Sequence, residues 1–339
     1  SIDGGNAAEG IVQVVDEDTA DPELLTISGR IGQSQPVGTL TVGNTTDGGN
    51  LLLTNANPVL VTNITVTGGD ADAKDSDIEF QDAVTGTLIT VNDTGNALAT
   101  ATFTATDGAQ AITPGITGGS VNEGAVVVVE ADEGAPDLYT FSGQIGANDL
   151  RSLAVGSATK GGNALFTNAT SVDVNAITLT GGNVTAEIAT IEFQEGATTT
   201  TILLEDNTGK TTVEFAAVNG VQAVSGTINA GTAGEGTLLV TDDDNNEAGQ
   251  AISFSGIVGG TASIGAVTIG SATEAGLAIF GAATTVGTIT VSGGNTDSED
   301  SSVEFEAAIT AASITLTDTT AARTATAIFD TNAGDITYA

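Results

Sequence analysis

Ile64-Thr65-Val66-Thr67-Gly68-Gly69, Ile177-Thr178-Leu179-Thr180-Gly181-Gly182 and Ile289-Thr290-Val291-Ser292-Gly293-Gly294 are three versions of one phrase, and their reading decides the fold. In each, a large apolar residue alternates with Thr or Ser, and the run stops at a Gly pair. Alternation at period two over four residues is the pattern of a half-buried strand, and the Gly pair closes it with a turn. Thr39-Leu40-Thr41-Val42 and Ile314-Thr315-Leu316-Thr317 read the same way and run into Gly43 and Asp318. No stretch carries apolar residues at helical spacing with a cap at both ends, so the chain reads as all-β.

Working outward from the phrase, one spacing governs the whole chain. Glu9, Glu123 and Glu235 stand 114 and 112 positions apart in Gly-Gly-Asn-Ala-Ala-Glu-Gly, Gly-Gly-Ser-Val-Asn-Glu-Gly and Ala-Gly-Thr-Ala-Gly-Glu-Gly. Ile-Ser-Gly-Arg-Ile-Gly from Ile27, Phe-Ser-Gly-Gln-Ile-Gly from Phe141 and Phe-Ser-Gly-Ile-Val-Gly from Phe254 keep that register. The chain is therefore three tandem repeats, 1–114, 115–226 and 227–339, continuous without linkers. All ten Phe fall into four repeat positions: Phe80/Phe193/Phe305, Phe103/Phe215/Phe329, Phe141/Phe254 and Phe166/Phe280, with Ile27 and Leu53 in the two vacant places. Large side chains confined to equivalent positions are predicted to be core, because an interior of fixed cross-section tolerates little change in volume.

Two β architectures suit this text. Three tandem β-sandwich domains would need about seven strands per ~100 residues, which each repeat can supply. A β-solenoid winds the chain in coils of three short strands and stacks repeats without linkers. The short strands, the Gly/Thr/Asn turns, the lack of Trp and a total of 5 Pro favour the solenoid.

Composition limits the chemistry. The 339 residues contain no His, Cys, Met or Trp. Imidazole and thiolate catalysis, and the metals those groups bind, are therefore excluded. Carboxylate-pair chemistry on sugars needs an aromatic-lined groove, and aromatics are 4% here, so no enzyme is expected. A formal net charge of −37, from 6 Lys+Arg against 43 Asp+Glu, argues against nucleic acid and anionic lipid as partners. No apolar run approaches the ~18 residues of a membrane-spanning helix, so direct membrane insertion is not expected.

The carboxylates cluster, and one cluster recurs: Asp16, Glu17 and Asp18; Glu130, Asp132 and Glu133; Asp242, Asp243 and Asp244. Oxygen-rich loops suit calcium, the candidate cofactor, although the spacing matches neither an EF-hand nor the nonapeptide of calcium-binding β-rolls. A solvated acidic loop is the alternative reading. A second group, Asp70, Asp72, Asp75 and Asp77, recurs as Asp297, Glu299 and Asp300 but leaves only Glu187 in the middle repeat.

The ends match each other. Ile336-Thr337-Tyr338-Ala339 followed by Ser1-Ile2-Asp3-Gly4-Gly5 would rebuild the internal junctions Ile112–Gly119 and Val224–Gly231. This predicts either a segment of a longer repeat protein or a subunit that stacks head to tail with copies of itself. An uncapped heterologous edge of that kind propagates as an open fibre.

The phrases Ile31–Gly43, Ile145–Gly156 and Gly287–Gly294 resemble the repeats of large bacterial surface proteins, namely beta-strand-repeat S-layer proteins and the β-helical passengers of rickettsial outer-membrane surface antigens. The resemblance implies export, a long β-solenoid and a place in a surface coat, adhesion or matrix. The expected function is thus a structural, extracellular one, in a surface fibre, S-layer or matrix filament. The alternative is an adhesin stalk or a module that binds surface glycans or a receptor.

Overall fold

The computed structural model describes residues 1–17, 23–54, 57–71, 73–106, 108–131, 137–218, 220–242, 250–293, 300–318, 323–330 and 336–338. Among them there is no helix, and the named strands pair in parallel throughout. The solenoid reading holds, and the sandwich alternative falls, because a sandwich requires antiparallel sheets. The chain forms two compact units, Ser1–Asn168 with Asp173–Asn175, and Ala169–Val172 with Ala176–Ala339.

In the first unit the strands stack on three faces. One ladder runs Glu9–Val14, Val37–Val42, the later half of Val59–Thr67, Leu88–Asn92, Gly115–Gly118. The second runs Leu24–Ile27, Gly49–Leu53, Ser76–Phe80, Ala99–Ala105, Glu123–Glu130, Leu150–Gly156. The third starts at the Ile2–Ile31 bridge and continues from the first residues of Val59–Thr67 through Val84–Thr85, Gln110–Ile112 and Leu138–Phe141 to Gly162–Phe166. Long strands such as Val59–Thr67 turn a corner and carry one ladder into the next, so hydrogen bonding groups the strands into two sheets.

The second unit is built alike. Its ladders are Ala189–Phe193 through Thr211–Ala217, Glu235–Asp242, Ile264–Ile269 and Thr284–Gly293 to Ile309–Asp318, and Ala197–Thr198 through Gln222–Val224, Ile252–Phe254, Leu277–Phe280 and Ser301–Phe305 to Ala325–Phe329. A third goes from Val172–Thr180 to Thr201–Glu205 and Thr227–Ala230, then by bridges through Val258 to Thr284.

Alternation in the sequence becomes alternation of burial, as in Ser76–Phe80, where Ser76, Ile78 and Phe80 point inward and Asp77 and Glu79 are half-buried. Each inward residue stacks on its ladder neighbour. Leu51, Ile78, Ala101, Val126 and Leu153 form one such row, with steps of 27, 23, 25 and 27 residues per coil. All five are at most 2% exposed.

The repeat does not contain a whole number of coils. From the strand holding Ile27, four ladder steps lead to Glu123–Glu130, yet the repeat counterpart Phe141 lies in the next strand of the chain, on another face. In the second unit, four steps from Ala189–Phe193 lead to Thr284–Gly293, and the counterpart of Phe193 is again one strand further, at Phe305. One repeat therefore winds four coils and a third, and each feature reappears one face further round.

The aromatic core follows this rotation. Within one repeat the rings stack along a single ladder: Phe80 on Phe103 at 5.3 Å, Phe141 on Phe166 at 4.9 Å, Phe193 on Phe215 at 5.2 Å, and Phe254, Phe280, Phe305 and Phe329 in succession at 4.9, 5.4 and 5.5 Å. Where the stack changes face, the rings meet edge to face, Phe103 with Phe141 at 5.2 Å and Phe215 with Phe254 at 5.5 Å. Both arrangements are favoured by the ring quadrupole, and each adds about 1 kcal/mol to the area buried.

Candidate functional site

The acidic corners were the sequence's candidate ion sites. Asp16 follows the strand Glu9–Val14, and its Oδ2 accepts the Glu23 N–H at 2.7 Å. Glu130 ends its strand only 3% exposed; Oε2 accepts the Asp137 N–H at 2.6 Å and Oε1 the Ala131 N–H at 3.1 Å. In both corners the carboxylate closes the loop onto a backbone N–H seven residues on. Asp242 ends Glu235–Asp242 and is equally buried, while Glu17 is exposed. Asp18, Asp132, Glu133, Asp243 and Asp244 lie outside the described residues.

The rotation of the repeat also separates these clusters. Asp16 stands at the corner between the first and second faces of its unit, and Glu130 between the second and third. Among the described residues no three acidic side chains converge closely enough to hold a metal ion.

The second acidic group is also engaged with its own fold. Lys74 Nζ contacts Asp47 Oδ1 at 3.0 Å and Asp70 Oδ1 at 3.5 Å. Asp75 Oδ1 accepts the Leu98 N–H, and Asp300 Oδ1 accepts the Thr324 N–H, each at 2.7 Å. Glu187 is fully buried. Asp72, Asp297 and Glu299 fall outside the described residues.

Two threefold carboxylate positions have a role that the sequence did not show, the first of them known there only as a marker of the repeat. Glu9, Glu123 and Glu235 each accept the N–H three residues before them, from Asn6, Ser120 and Thr232 at 3.2, 2.9 and 2.8 Å. The residue preceding each has positive φ: Ala8 at 61°, Asn122 at 63° and Gly234 at 90°, so Ala8 holds a strained conformation that Asn and Gly take readily. Asp93, Asp206 and Asp318 form the second set, accepting the N–H of Ala99, Thr211 and Ala325 at 2.8 Å each. Asp93 also receives the Gly124 N–H at 3.0 Å and Arg151 Nε at 2.9 Å. The signal was present as Asp at one repeat position, but it sat among Asn, Gly and Thr that read only as a turn. Ala99 and Thr211 are buried, and a buried N–H left without an acceptor costs about 1–3 kcal/mol, which Asp93 and Asp206 prevent; the bonds to Glu9, Glu123, Glu235 and Asp318 are exposed and shape the turn.

Protonation should undo that work. Burial alone would raise the Asp206 carboxyl; hydrogen bonds from the Thr211 hydroxyl, Lys210 and the Thr211 N–H outweigh it and hold the group below its ordinary value. The Ser34 and Thr324 N–H groups act likewise on Asp3 and Asp300. A depressed carboxylate contributes stability that is complete above its unfolded pKa, about 4, and is lost as pH falls through the folded value. Asp77 has the opposite sign, because burial raises it. Urea midpoints at pH 7 and pH 3 are therefore expected to differ less for Asp206→Asn than for the parent chain; an unchanged difference would count against the clamp.

The other candidate is the pair of coil ends. Leu25 points inward and pairs with Leu51, yet it is 46% exposed while Leu51 is fully buried. In the second unit Leu316 is 49% exposed and its partner Val291 fully buried. Among the described residues, Glu9–Val14 and Leu24–Ile27 of the first unit and Ala325–Phe329 of the second are paired on one side only. A cleft of about 440 Å³ beside the first coil is lined by Gln13, Asp16, Glu17, Glu23 and Leu25 among others. These strands present free edges beside the half-exposed Leu25 and Leu316.

Fold and site together define a parallel β-solenoid whose carboxylates fasten its corners. No family model, curated protein or solved structure matches the chain.

Proposed function

We propose that this chain is a structural, non-catalytic component of an extracellular surface, a coat, fibre or matrix, in which stacked coils do the work. The observation that carries this reading is the half-exposed Leu25 and Leu316, with free parallel edges beside them. Such edges are templates for another strand, and natural sheets usually blunt them. The missing His and Cys and the use of carboxylates as backbone clamps fit a scaffold more closely than an active site. Extracellular cations, calcium among them, screen the net charge of −37, whose self-repulsion opposes close approach of copies.

Negative-stain electron microscopy of the purified chain, at physiological salt with calcium and again after chelation, tests the proposal. Filaments are expected, with a meridional fibre reflection at about 4.8 Å from the coil spacing. Loss of filaments on chelation assigns calcium a part in assembly. Discrete particles under every condition would remove the self-stacking role.

A further inference from the structure

The chain contains two copies of the junction between successive repeats, one in each unit, and we infer that they are the template for an intermolecular junction: a second copy of this chain stacks head to tail in one register, with Val14 of the incoming copy on Phe329. The inference rests on the structural reading above and adds the partner and the register.

At the first junction, Ala125, Val126, Val127 and Val128 pair with Thr100, Ala101, Thr102 and Phe103. At the second, Thr237, Leu238, Leu239 and Val240 pair with Thr212, Val213, Glu214 and Phe215. The registers are identical, each setting Val on Phe across 25 residues. Val14 and Phe329 occupy the same repeat positions and are the pair the chain leaves unmade, one at each end. The neighbouring ladder agrees. Ile116 sits on Ile89 and Ile228 on Ile202, which places Ile2 of the incoming copy on Ile314.

Winding order supports the same occupant. The last strand, Ile336–Tyr338, pairs with the early part of Ile309–Asp318, so the next position round the coil is the one above the later part of that strand. Ile2, at the start of a copy, supplies it. Leu25 and Leu316, half exposed in the single chain, are then both covered.

The absence of Cys makes the test clean. In the inferred register Gln13 stands beside Ile328, as Val127 stands beside Thr102 and Leu239 beside Glu214. Both side chains are exposed. Neighbouring parallel strands bring their Cα atoms to about 4.8 Å, within disulfide range, whereas a shift of two residues opens the gap to about 8 Å, beyond it. The 339-residue chain carrying Gln13→Cys and Ile328→Cys is expected to give a ladder of disulfide-linked multimers under mild oxidation. Gln13→Cys with Thr326→Cys should give at least fivefold less. Circular dichroism on both variants confirms that the coils are intact, and electron microscopy reports filament formation separately.

Filaments that cross-link better through Thr326 than through Ile328 would overturn the register and leave the stacking role standing. Disulfide dimers from Gln13→Cys alone, with Ile328 intact, would show head-to-head contact and overturn the inference. Folded double variants that remain monomeric in both assays would overturn the second copy as occupant together with the stacking role.

Discussion

Phe103→Ala is expected to destabilise the first unit by about 3–5 kcal/mol, the range for removing a large aromatic side chain from a close-packed interior. Phe103 is fully buried and is where the aromatic stack changes face. It lies on Phe80 at 5.3 Å, meets Phe141 edge-on at 5.2 Å and Tyr139 at 5.7 Å, so truncation removes three ring contacts at once. Tyr139 cannot swing freely into the space, because its hydroxyl donates to the Phe80 carbonyl at 3.2 Å. Phe329, on the last coil and only half-buried, is the control, and Phe329→Ala should cost about a third as much. Urea unfolding followed by circular dichroism measures both. Because each coil touches only its neighbours, the Phe103 variant is expected to show a separate early transition instead of a simple shift of the whole curve. Equal losses for the two variants would mean that the change of face has no special energetic weight.

Gly146→Ala is the second large effect, with an expected loss of about 3 kcal/mol or more. Gly146 has φ 80°, and its repeat counterparts Gly32 and Gly259 have 74° and 73°. A left-handed conformation costs a residue with a Cβ about 1–2 kcal/mol. The larger part comes from the neighbouring coil: a Cβ at Gly146 would overlap the carbonyl oxygen of Asp173, as one at Gly32 would overlap Leu60 and one at Gly259 would overlap Thr285. Relief requires two coils to move apart, which breaks ladder hydrogen bonds. Gly220 isolates the smaller part, since its φ is 62° but nothing lies near its missing Cβ. Gly220→Ala should therefore cost about 1 kcal/mol. Equal losses for the two substitutions would mean that close approach of the coils is not what requires Gly146.

The acidic clusters show how far the sequence text could be read. Clustered Asp and Glu suggested oxygen ligands, because composition records how many carboxylates stand together and nothing about what each one touches. The structure gives Asp16 a backbone N–H and Glu130 two. The more regular set, Asp93, Asp206 and Asp318, drew no attention, since a single Asp in a turn carries no compositional signal. Its regularity became meaningful only once the same N–H was found beside each member.

Strands and core residues were legible beforehand, because alternation and bulk are local properties: a residue two positions along a strand faces the same way in any β fold. Nine of the ten Phe are indeed fully buried, at positions the repeat alone picked out. The number of coils per repeat was not legible. It depends on the combined lengths of three strands and three turns, which vary from 23 to 27 residues along a single row, and no local pattern fixes that total. Only coil-on-coil stacking sets it, by requiring each inward side chain to meet the one below. The sequence by itself determined what is repeated; the tertiary structure decided on which face each repetition falls, and so which residues meet where one repeat ends and the next begins.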